Sequence, residues 1–314
     1  KILATELLEL NGTSPSELIP SGIISETLGF GASSNIDIST AQLILQNGGA
    51  INNRTYSPAP SGDLTINATD FIEMKGTSPK TALTNVLTTV TLFSTELEQP
   101  VQTAKAGDLT ISTPYLSMTD GSYISSLSIS DSSGGNVRIN TDKLAITGGV
   151  FNSYYTYFST AISGVGYRRG NSGSVTLNTD TLNIKDGAII TTSNLGSGNA
   201  GNVNVNATES VEIESFFPVA ENEIFTSSIS STVGSDSILI QQTSGYQALG
   251  NSGNVTVNTP LLKISDEARV SVANFGTVGT AGRLKISSDS IELNKGIIAA
   301  SAISGEGGNI DLNL

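Results

Sequence analysis

Residues 253–266 read "GNVTVNTPLLKISD", and close variants of this phrase recur along the chain. Residues 135–146 read "GNVRINTDKLAI" and residues 201–213 read "GNVNVNATESVEI". The residue that opens each phrase is Ser34, Gly62, Gly107, Gly135, Gly173, Gly201, Gly253, Gly282 and Gly308. Successive gaps of 28, 45, 28, 38, 28, 52, 29 and 26 residues indicate a repeat unit of about 28 residues with three enlarged copies, a period typical of solenoids.

Each repeat unit contains three short segments in which apolar and polar residues alternate. In one unit the first segment holds Val255 and Val257, and the second centres on Leu262. The third segment follows a tight turn and is weaker; in the last complete unit we assign Ile297 and Ala299 to its inward face. Alternation with a period of two is typical of strands, so we expect three strands per unit with Val, Ile and Leu facing inward.

Three strands separated by Gly, Asn and Asp corners predict an all-β fold of triangular coils. Stacked at the strand spacing of roughly 4.8 Å, about nine coils form three parallel sheets around a dry column, on the order of 43 Å long. Neither end of the sequence has a polar capping element. We therefore expect residues 1–314 to be a single segment of a larger protein, whose strand edges pair with more chain or with further copies end to end.

The composition excludes several classes of function. Fifteen basic residues against 28 acidic ones give a net charge of −13, so the chain lacks the basic surface that nucleic acids or anionic membranes require. The chain has no Cys and no His, which excludes disulfides, zinc–thiolate sites and Ser–His or Cys–His catalytic pairs. The sequence contains no run of 18 apolar residues, so it does not predict a transmembrane helix.

One polar column recurs at the end of the first segment. It consists of Asn67, Asn140, Asn178, Asn206, Asn258 and Asn313, with Ser in the remaining copies. Such a column is either a ligand-binding ladder or a structural stack of corner amides that bond to the backbone and to one another. We favour the structural interpretation because every unit must turn at that corner.

The three enlarged copies carry insertions at approximately 76–105, 151–171 and 215–250. The middle insertion contains a candidate contact patch that consists of Tyr154, Tyr155, Tyr157, Phe158, Tyr167, Arg168 and Arg169. Aromatic rings beside an Arg pair suit sugars or acidic surface groups. The alternative, which we favour, is that these aromatic residues form a lateral strand that packs on the flank. If the insertions stack on one side, they also form a flange for lateral association of copies.

No motif predicts catalysis. Glu9, Glu73 and Glu212 align in the second segment, but alternation points them outward and other units separate them, so we interpret them as solvated surface residues rather than a glycosidase pair. Asp120 and Asp186 each precede a Gly where a tight turn is required. We expect no catalytic residue and no cofactor; structural calcium among the acidic corners is the one alternative.

Three stretches, "GNSGNVTVNTPLLKISDEARVSV", "AGDLTISTPYLSMTDGS" and "GIIAASAISGEGGNIDLNL", resemble the repeat region of filamentous-haemagglutinin-like proteins, closest to cyanobacterial members. These are exoproteins exported by two-partner secretion. The resemblance implies a right-handed parallel β-helix (a β-solenoid) outside the cell, acting as a non-catalytic adhesin stalk, matrix component or filament. Its partners would be copies of itself and cell-surface or matrix glycans. A carbohydrate-binding module and a polysaccharide lyase or hydrolase are the alternatives.

Overall fold

The structure is a computed structural model, and it describes residues 1–17, 19–56, 59–91, 105–151, 157–215, 226–234 and 247–314. All regular structure in these residues is β, which confirms the predicted all-β class. The strands are β1 (Ile2–Leu3), β2 (Leu7–Asn11), β3 (Gly22–Thr27), β4 (Ile36–Gln46), β5 (Ala50–Thr55), β6 (Leu64–Lys75), β7 (Val86–Thr91), β8 (Leu109–Ser112), β9 (Tyr115–Met118), β10 (Tyr123–Ser128), β11 (Val137–Asn140), β12 (Lys143–Thr147), β13 (Gly149–Phe151), β14 (Tyr157–Ser159), β15 (Ala161–Gly166), β16 (Val175–Lys185), β17 (Ile189–Asn194), β18 (Val203–Glu214), β19 (Ser228–Val233), β20 (Val255–Asn258), β21 (Leu261–Ser265), β22 (Arg269–Asn274), β23 (Leu284–Ser287), β24 (Ser290–Asn294), β25 (Ile297–Ala302) and β26 (Ile310–Asn313).

Two large parallel sheets and one antiparallel hairpin contain these strands. The first and second segments form a 15-stranded sheet, whose main path runs β1-β4-β6-β8-β11-β16-β18-β20-β23-β26. The third segments form a nine-stranded sheet in the order β25-β22-β19-β17-β15-β10-β7-β5-β3. The hairpin pairs β13 with β14. Parallel pairing between equivalent segments, predicted from the repeat, is thus confirmed.

The sequence predicted three separate sheets, one for each segment, and the structure differs on this point. Strands β4, β6, β16 and β18 each continue from the first segment through the corner into the second, so hydrogen bonds join both segments in one sheet. For the same reason, β6, β8, β11, β16, β12 and β9 pair as a closed ring of six strands. The corner between the first two segments is therefore a bend within strands rather than a break.

The enlarged copies do not interrupt the register. Val175 pairs with Val203, 28 residues later, and Val203 pairs with Val255, 52 residues later. In both cases the paired residues hold the same place in the repeated phrase. An insertion therefore lengthens a connection without shifting the ladder, which is how solenoid repeats accommodate extra residues.

The interior of the first and second segments is apolar. Val255, Val257 and Leu262 are fully buried, as the alternation predicted, and so are Val203, Val205 and Val211 at the same places in the preceding unit. Thr256, between the two valines, faces out. Since no single unit can enclose this column, the apolar core forms only when units stack.

The third segments face the same interior, but their inner side is partly polar. Ile124 and Ile190 are buried at the start of their strands, but the next inward positions are hydroxyls such as Ser126 and Thr192, which are also fully buried. The assignment of Ile297 and Ala299 to the inward face was wrong by one residue. Strand β25 places Ile298 opposite Val270, whereas Ile297 is 40% exposed. Because residues 297–300 are all apolar, the sequence shows no alternation there that could fix this register.

The Gly that opens the repeated phrase forms a column of its own. A Cβ added at any of these glycines would lie far inside van der Waals contact with the carbonyl oxygen of the equivalent Gly in the preceding unit. This is so at Gly107, Gly135, Gly173, Gly201, Gly253, Gly282 and Gly308. The backbones of successive units therefore meet so closely that only Gly fits, and this is the physical reason for the recurrent first letter.

Candidate functional site

A long concave surface follows the corner between the first and second segments as a groove. One stretch of about 790 Å³ runs past Asn67, Asn140 and Asn178, and a second of about 640 Å³ continues past Asn258 to Leu314. Both stretches share the residues around Asn206. We call this surface the amide groove, because the predicted Asn column lies along it.

Four consecutive amides form a hydrogen-bonded ladder in the groove. The Nδ2 of Asn178 donates to Oδ1 of Asn140 at 2.8 Å, and Nδ2 of Asn206 donates to Oδ1 of Asn178 at 2.9 Å. The Nδ2 of Asn258 donates in turn to Oδ1 of Asn206 at 2.9 Å. The register puts Ser112 between Asn67 and Asn140, so Asn67 lies outside this run. At the other end, Nδ2 of Asn313 lies 3.5 Å from Oγ of Ser287.

In several units the residue that follows the Asn or Ser of this column is a buried Thr or Ser, which supports the corner from inside. Thr179 is buried, and its hydroxyl donates to the carbonyl oxygens of Asp142 and Thr181 at 3.0 and 2.9 Å. Ser288 makes equivalent bonds to Pro260 and Ser290 at 3.1 and 2.7 Å. The hydroxyls therefore bind the corner together, and the amides are left on the outer surface.

The outer wall of the groove carries carboxylates. Asp142 and Asp180 follow the ladder residues on neighbouring strands, and Asp289 occupies the equivalent place further along. The hydroxyl of Thr208 donates to Oδ1 of Asp180 at 2.5 Å. No Lys or Arg is among the described residues that line either stretch. The groove is thus a row of neutral amides beside a negatively charged wall.

An aromatic pair adjoins the groove. Tyr115 follows Pro114, which lines the groove, and the sheet register places Tyr115 beside Phe71 on the neighbouring strand. Tyr115 is 42% exposed and Phe71 is half-buried. Sequence reasoning missed this pair because it looked for aromatic contact residues only in the insertions. The sequence did contain a signal for this pair. Both residues are aromatic at the outward position that begins the second segment, and that position is usually polar in the other units.

The predicted aromatic patch of the middle insertion is only partly described. Tyr154 and Tyr155 lie outside the described residues, and Tyr157 is described only as the first residue of β14. Phe158 is 47% exposed on the same strand, next to the turn at Gly121. Tyr167 lies beyond the far end of β15, and a strand of six residues spans roughly 20 Å. The structure therefore places Phe158 and Tyr167 at opposite ends of the third segment.

One further tyrosine, Tyr123, was not singled out by the sequence, and it is near enough to Tyr167 for the charge of one phenol to affect the other. Burial raises the pKa of the Tyr123 phenol, and the nearby Tyr167 raises it further; burial also raises the pKa of Tyr167. Arg168 is half-buried after Tyr167, whereas Arg169 is exposed. The register places Tyr123 at the start of β10, so Tyr167 and the Arg pair lie at the end of the third segment that is opposite to Phe158.

The aligned acidic residues do not form a pair. Glu9 and Glu73 face outward, with Ile44 between them in the register. Glu73 forms an ion pair with Lys75 at 2.7 Å, and Glu212 lies 3.7 Å from Lys263. These are surface contacts on the second segment. Such exposed ion pairs contribute little to stability and hold no water or substrate between two carboxylates.

The two Asp-Gly turns have the predicted geometry. Asp120 and Gly121 have φ of 55° and 70°, and Asp186 and Gly187 have φ of 56° and 83°. The carboxylate of Asp120 also accepts a hydrogen bond from the backbone N–H of Gly76 at 2.8 Å. The interpretation of both Asp residues as turn residues is confirmed, because Asp tolerates the left-handed region in which these positions lie.

The most strongly perturbed carboxylate is Glu17, in the connection between β2 and β3. It is buried, and it accepts hydrogen bonds from the backbone N–H groups of Lys80 and Thr81 at 2.8 and 2.7 Å, and from the hydroxyls of Ser78 and Thr81 at 2.7 and 2.6 Å. Burial acts to raise its pKa, but these hydrogen bonds outweigh it and lower the pKa to about 2. Glu17 therefore ties two connections together as an ionised group.

The described part of the chain holds no helix of membrane-spanning length and hydropathy, and no cluster of three or more acidic side chains arranged for a metal ion. Calcium binding stays a prediction. Searches against protein-family models, curated proteins and solved structures gave no significant match. The resemblance to filamentous-haemagglutinin-like repeats therefore rests on the sequence phrases alone.

Proposed function

We propose that the chain is a segment of an extracellular β-solenoid, wound as a right-handed parallel β-helix, that acts as a structural or adhesive rod at the cell surface. The observation that carries the proposal is the uninterrupted parallel register from β1 to β26, which passes through three enlarged units without a shift. A stack of this kind is stiff along its axis, since every unit bonds to both neighbours.

The distribution of side chains supports a mechanical role. The apolar residues lie in one continuous interior, whereas the outer faces carry scattered ion pairs and hydroxyls. The two carboxylates Asp142 and Asp180 lie on one wall of the amide groove, whereas a glycosidase holds its two carboxylates on either side of the bond that it cleaves. We therefore propose a non-catalytic protein whose partners are copies of itself and surface or matrix glycans.

The export and location of the protein can be tested on intact cells. Antibodies raised against the segment should label the outside of unpermeabilised cells, and mild protease treatment of those cells should remove the signal. Electron microscopy of the labelled material should show rods or fibres. Labelling that requires permeabilisation would contradict the proposed location, and compact particles without rods would contradict the mechanical role.

Carbohydrate binding is the second candidate function, and the amide groove is the observation that favours it. The groove runs along the stack, and its exposed polar groups repeat with every unit. A polysaccharide lyase or hydrolase is the least supported alternative. If the protein cleaved acidic glycans and a single carboxylate substitution abolished that activity, the non-catalytic proposal would be wrong and an enzymatic function would take its place.

A further inference from the structure

We propose that the amide groove binds an extended, uncharged polysaccharide that lies parallel to the stack axis. This inference rests on the proposed adhesive function, and it assigns the glycan contact to the ladder rather than to the insertions. It starts from the hydrogen-bonding capacity that the ladder leaves unused. A side-chain amide has two N–H donors and two acceptor lone pairs.

Within the ladder, Asn178 and Asn206 each use one N–H and one lone pair of Oδ1 in bonds to neighbouring amides. One donor and one acceptor of each amide remain. Because the amides sit on consecutive strands, these groups repeat about every 4.8 Å along the groove. Sugar hydroxyls both donate and accept hydrogen bonds, so a polyhydroxylated chain can satisfy both kinds of group with the same functional group.

The charge of the groove selects among polysaccharides. Asp142 and Asp180 line its wall, and no cationic residue is among the described lining residues. The net charge of −13 adds a long-range repulsion for polyanions. Uronic acid polymers and sulfated glycans are therefore disfavoured, and a neutral polymer is the class that fits.

A peptide strand does not fit the same surface. Binding by strand addition needs a row of unpaired backbone groups. At this corner the backbone N–H of Thr141 donates to the carbonyl oxygen of Asn178 at 3.0 Å, and the N–H of Thr259 donates to that of Ser287 at 3.0 Å. The backbone is thus already paired from unit to unit, so recognition must use the side-chain amides.

The exposed aromatic ring beside the groove gives a second, independent indication. Tyr115 lies next to Pro114 in the wall and beside Phe71. Aromatic rings with one polar tip pack against the apolar faces of sugars while the hydroxyls bond to neighbouring polar groups. Tyr115 belongs to the unit next to Asn140, so a sugar chain that follows the groove past Pro114 would pass close to this exposed ring.

Affinity electrophoresis of the folded chain tests the proposal, with hydroxyethyl cellulose, galactomannan and soluble starch as neutral polymers. Carboxymethyl cellulose is the matched anionic polymer, since it shares its backbone with hydroxyethyl cellulose. We expect at least one neutral polymer to retard the protein and carboxymethyl cellulose not to do so. The variant with Asn206→Ala and Asn258→Ala should bind about tenfold more weakly, and Tyr115→Ala should also weaken binding.

The control variant carries Asn202→Ala and Asn254→Ala. These exposed amides lie near the start of the same two strands but outside the groove, and Oδ1 of Asn254 accepts the backbone N–H of Arg283 at 2.8 Å. The control should bind like the parent protein. No retardation by any neutral polymer, equal retardation by carboxymethyl cellulose, or an equal loss in the control would overturn the proposal. If the polymers do not bind in this way but antibodies still label rods at the cell surface, the assignment of the glycan site to the amide groove is wrong. The proposed function as a surface rod is then unaffected.

Discussion

The first and second segments of each unit line a dry part of the interior, whereas the third segments also line a part that contains hydroxyls and amides. In the dry interior, Val, Ile and Leu replace one another freely from unit to unit, because dispersion and burial have no direction. In the polar part each polar group has a particular partner. Thr89 donates to the carbonyl oxygen of Gly107 at 2.7 Å, and Ser126 accepts the N–H of Gly135 at 2.8 Å.

This difference shows what each part of the interior contributes. The dry column supplies most of the buried apolar surface, and it repeats so regularly that the units stack in register. The polar interior closes the corner through which the chain returns to the first segment. Asn194 and Asn274 illustrate this, since each bonds to the backbone of the loop that follows it, whereas Val233 holds the same register position between them. Each of these Asn side chains therefore stabilises the loop of its own unit, and they do not form a continuous hydrogen-bonded column from unit to unit.

The largest expected effect comes from placing a charge in the dry interior. Val257→Asp buries a carboxylate with no partner, and we expect it to cost at least about 4 kcal/mol or to unfold the neighbouring units. The control is Thr256→Asp, one residue earlier and facing out, which should change the free energy of unfolding by less than about 0.5 kcal/mol. Urea denaturation followed by circular dichroism measures both. Equal effects would mean that the inward and outward faces are misassigned.

The glycine column should be the next most sensitive feature. Gly201→Ala places a Cβ against the carbonyl oxygen of Gly173, and we expect a loss of about 3 kcal/mol because two backbones must move apart. Gly31→Ala is the matched control, since nothing lies within 4 Å of a Cβ at that position. Gly31→Ala should leave the free energy of unfolding nearly unchanged, so the two variants should differ by almost the whole loss of about 3 kcal/mol. A tolerated Gly201→Ala would refute close backbone stacking.

A smaller loss is expected in the polar interior. Asn274 is fully buried; its Nδ2 donates to the carbonyl oxygens of Gly250 and Thr280 at 3.0 and 3.1 Å, and its Oδ1 accepts the N–H of Gly276 at 2.8 Å. Asn274→Ala leaves these groups without partners and should cost about 2 kcal/mol. Asn254→Ala removes an exposed amide whose bond water can replace, so it should cost much less. Thermal unfolding of the pair would show whether the polar interior is structural.

The smallest effect should depend on pH and should lie outside both parts of the interior. The pKa of Glu17 is about 2 in the folded chain, below the ordinary value of 4.5, so its ionised form stabilises the fold above about pH 4.5. That contribution is lost as the pH falls through 2. We expect Glu17→Gln to lower the urea midpoint at pH 7 and to match the parent protein near pH 2. A difference that is independent of pH would argue against the ionised clamp.

The two parts of the interior also differ in what could be predicted from the sequence. The first and second strands were predictable because Val and Ile alternate with polar residues in nearly every copy. The third strand was also predicted, and Ile124, Ile190 and Val270 are buried as expected, but the register of Ile298 was missed by one residue because residues 297–300 are all apolar and do not alternate. The amide column was visible in the sequence, but its position in a groove beside Tyr115 depends on how the corner bends between two segments.

Distances between spin labels test the stacked register most directly, and the absence of native cysteines makes the labelling selective. Thr65, Asn204 and Lys285 face outward in one column, and the pairing places Asn204 four units from Thr65 and Lys285 six units from it. At about 4.8 Å per unit, the label separations should be close to 19 and 29 Å. Distances that grow with the number of units would support the uninterrupted parallel stack. Distances unrelated to that number would contradict it.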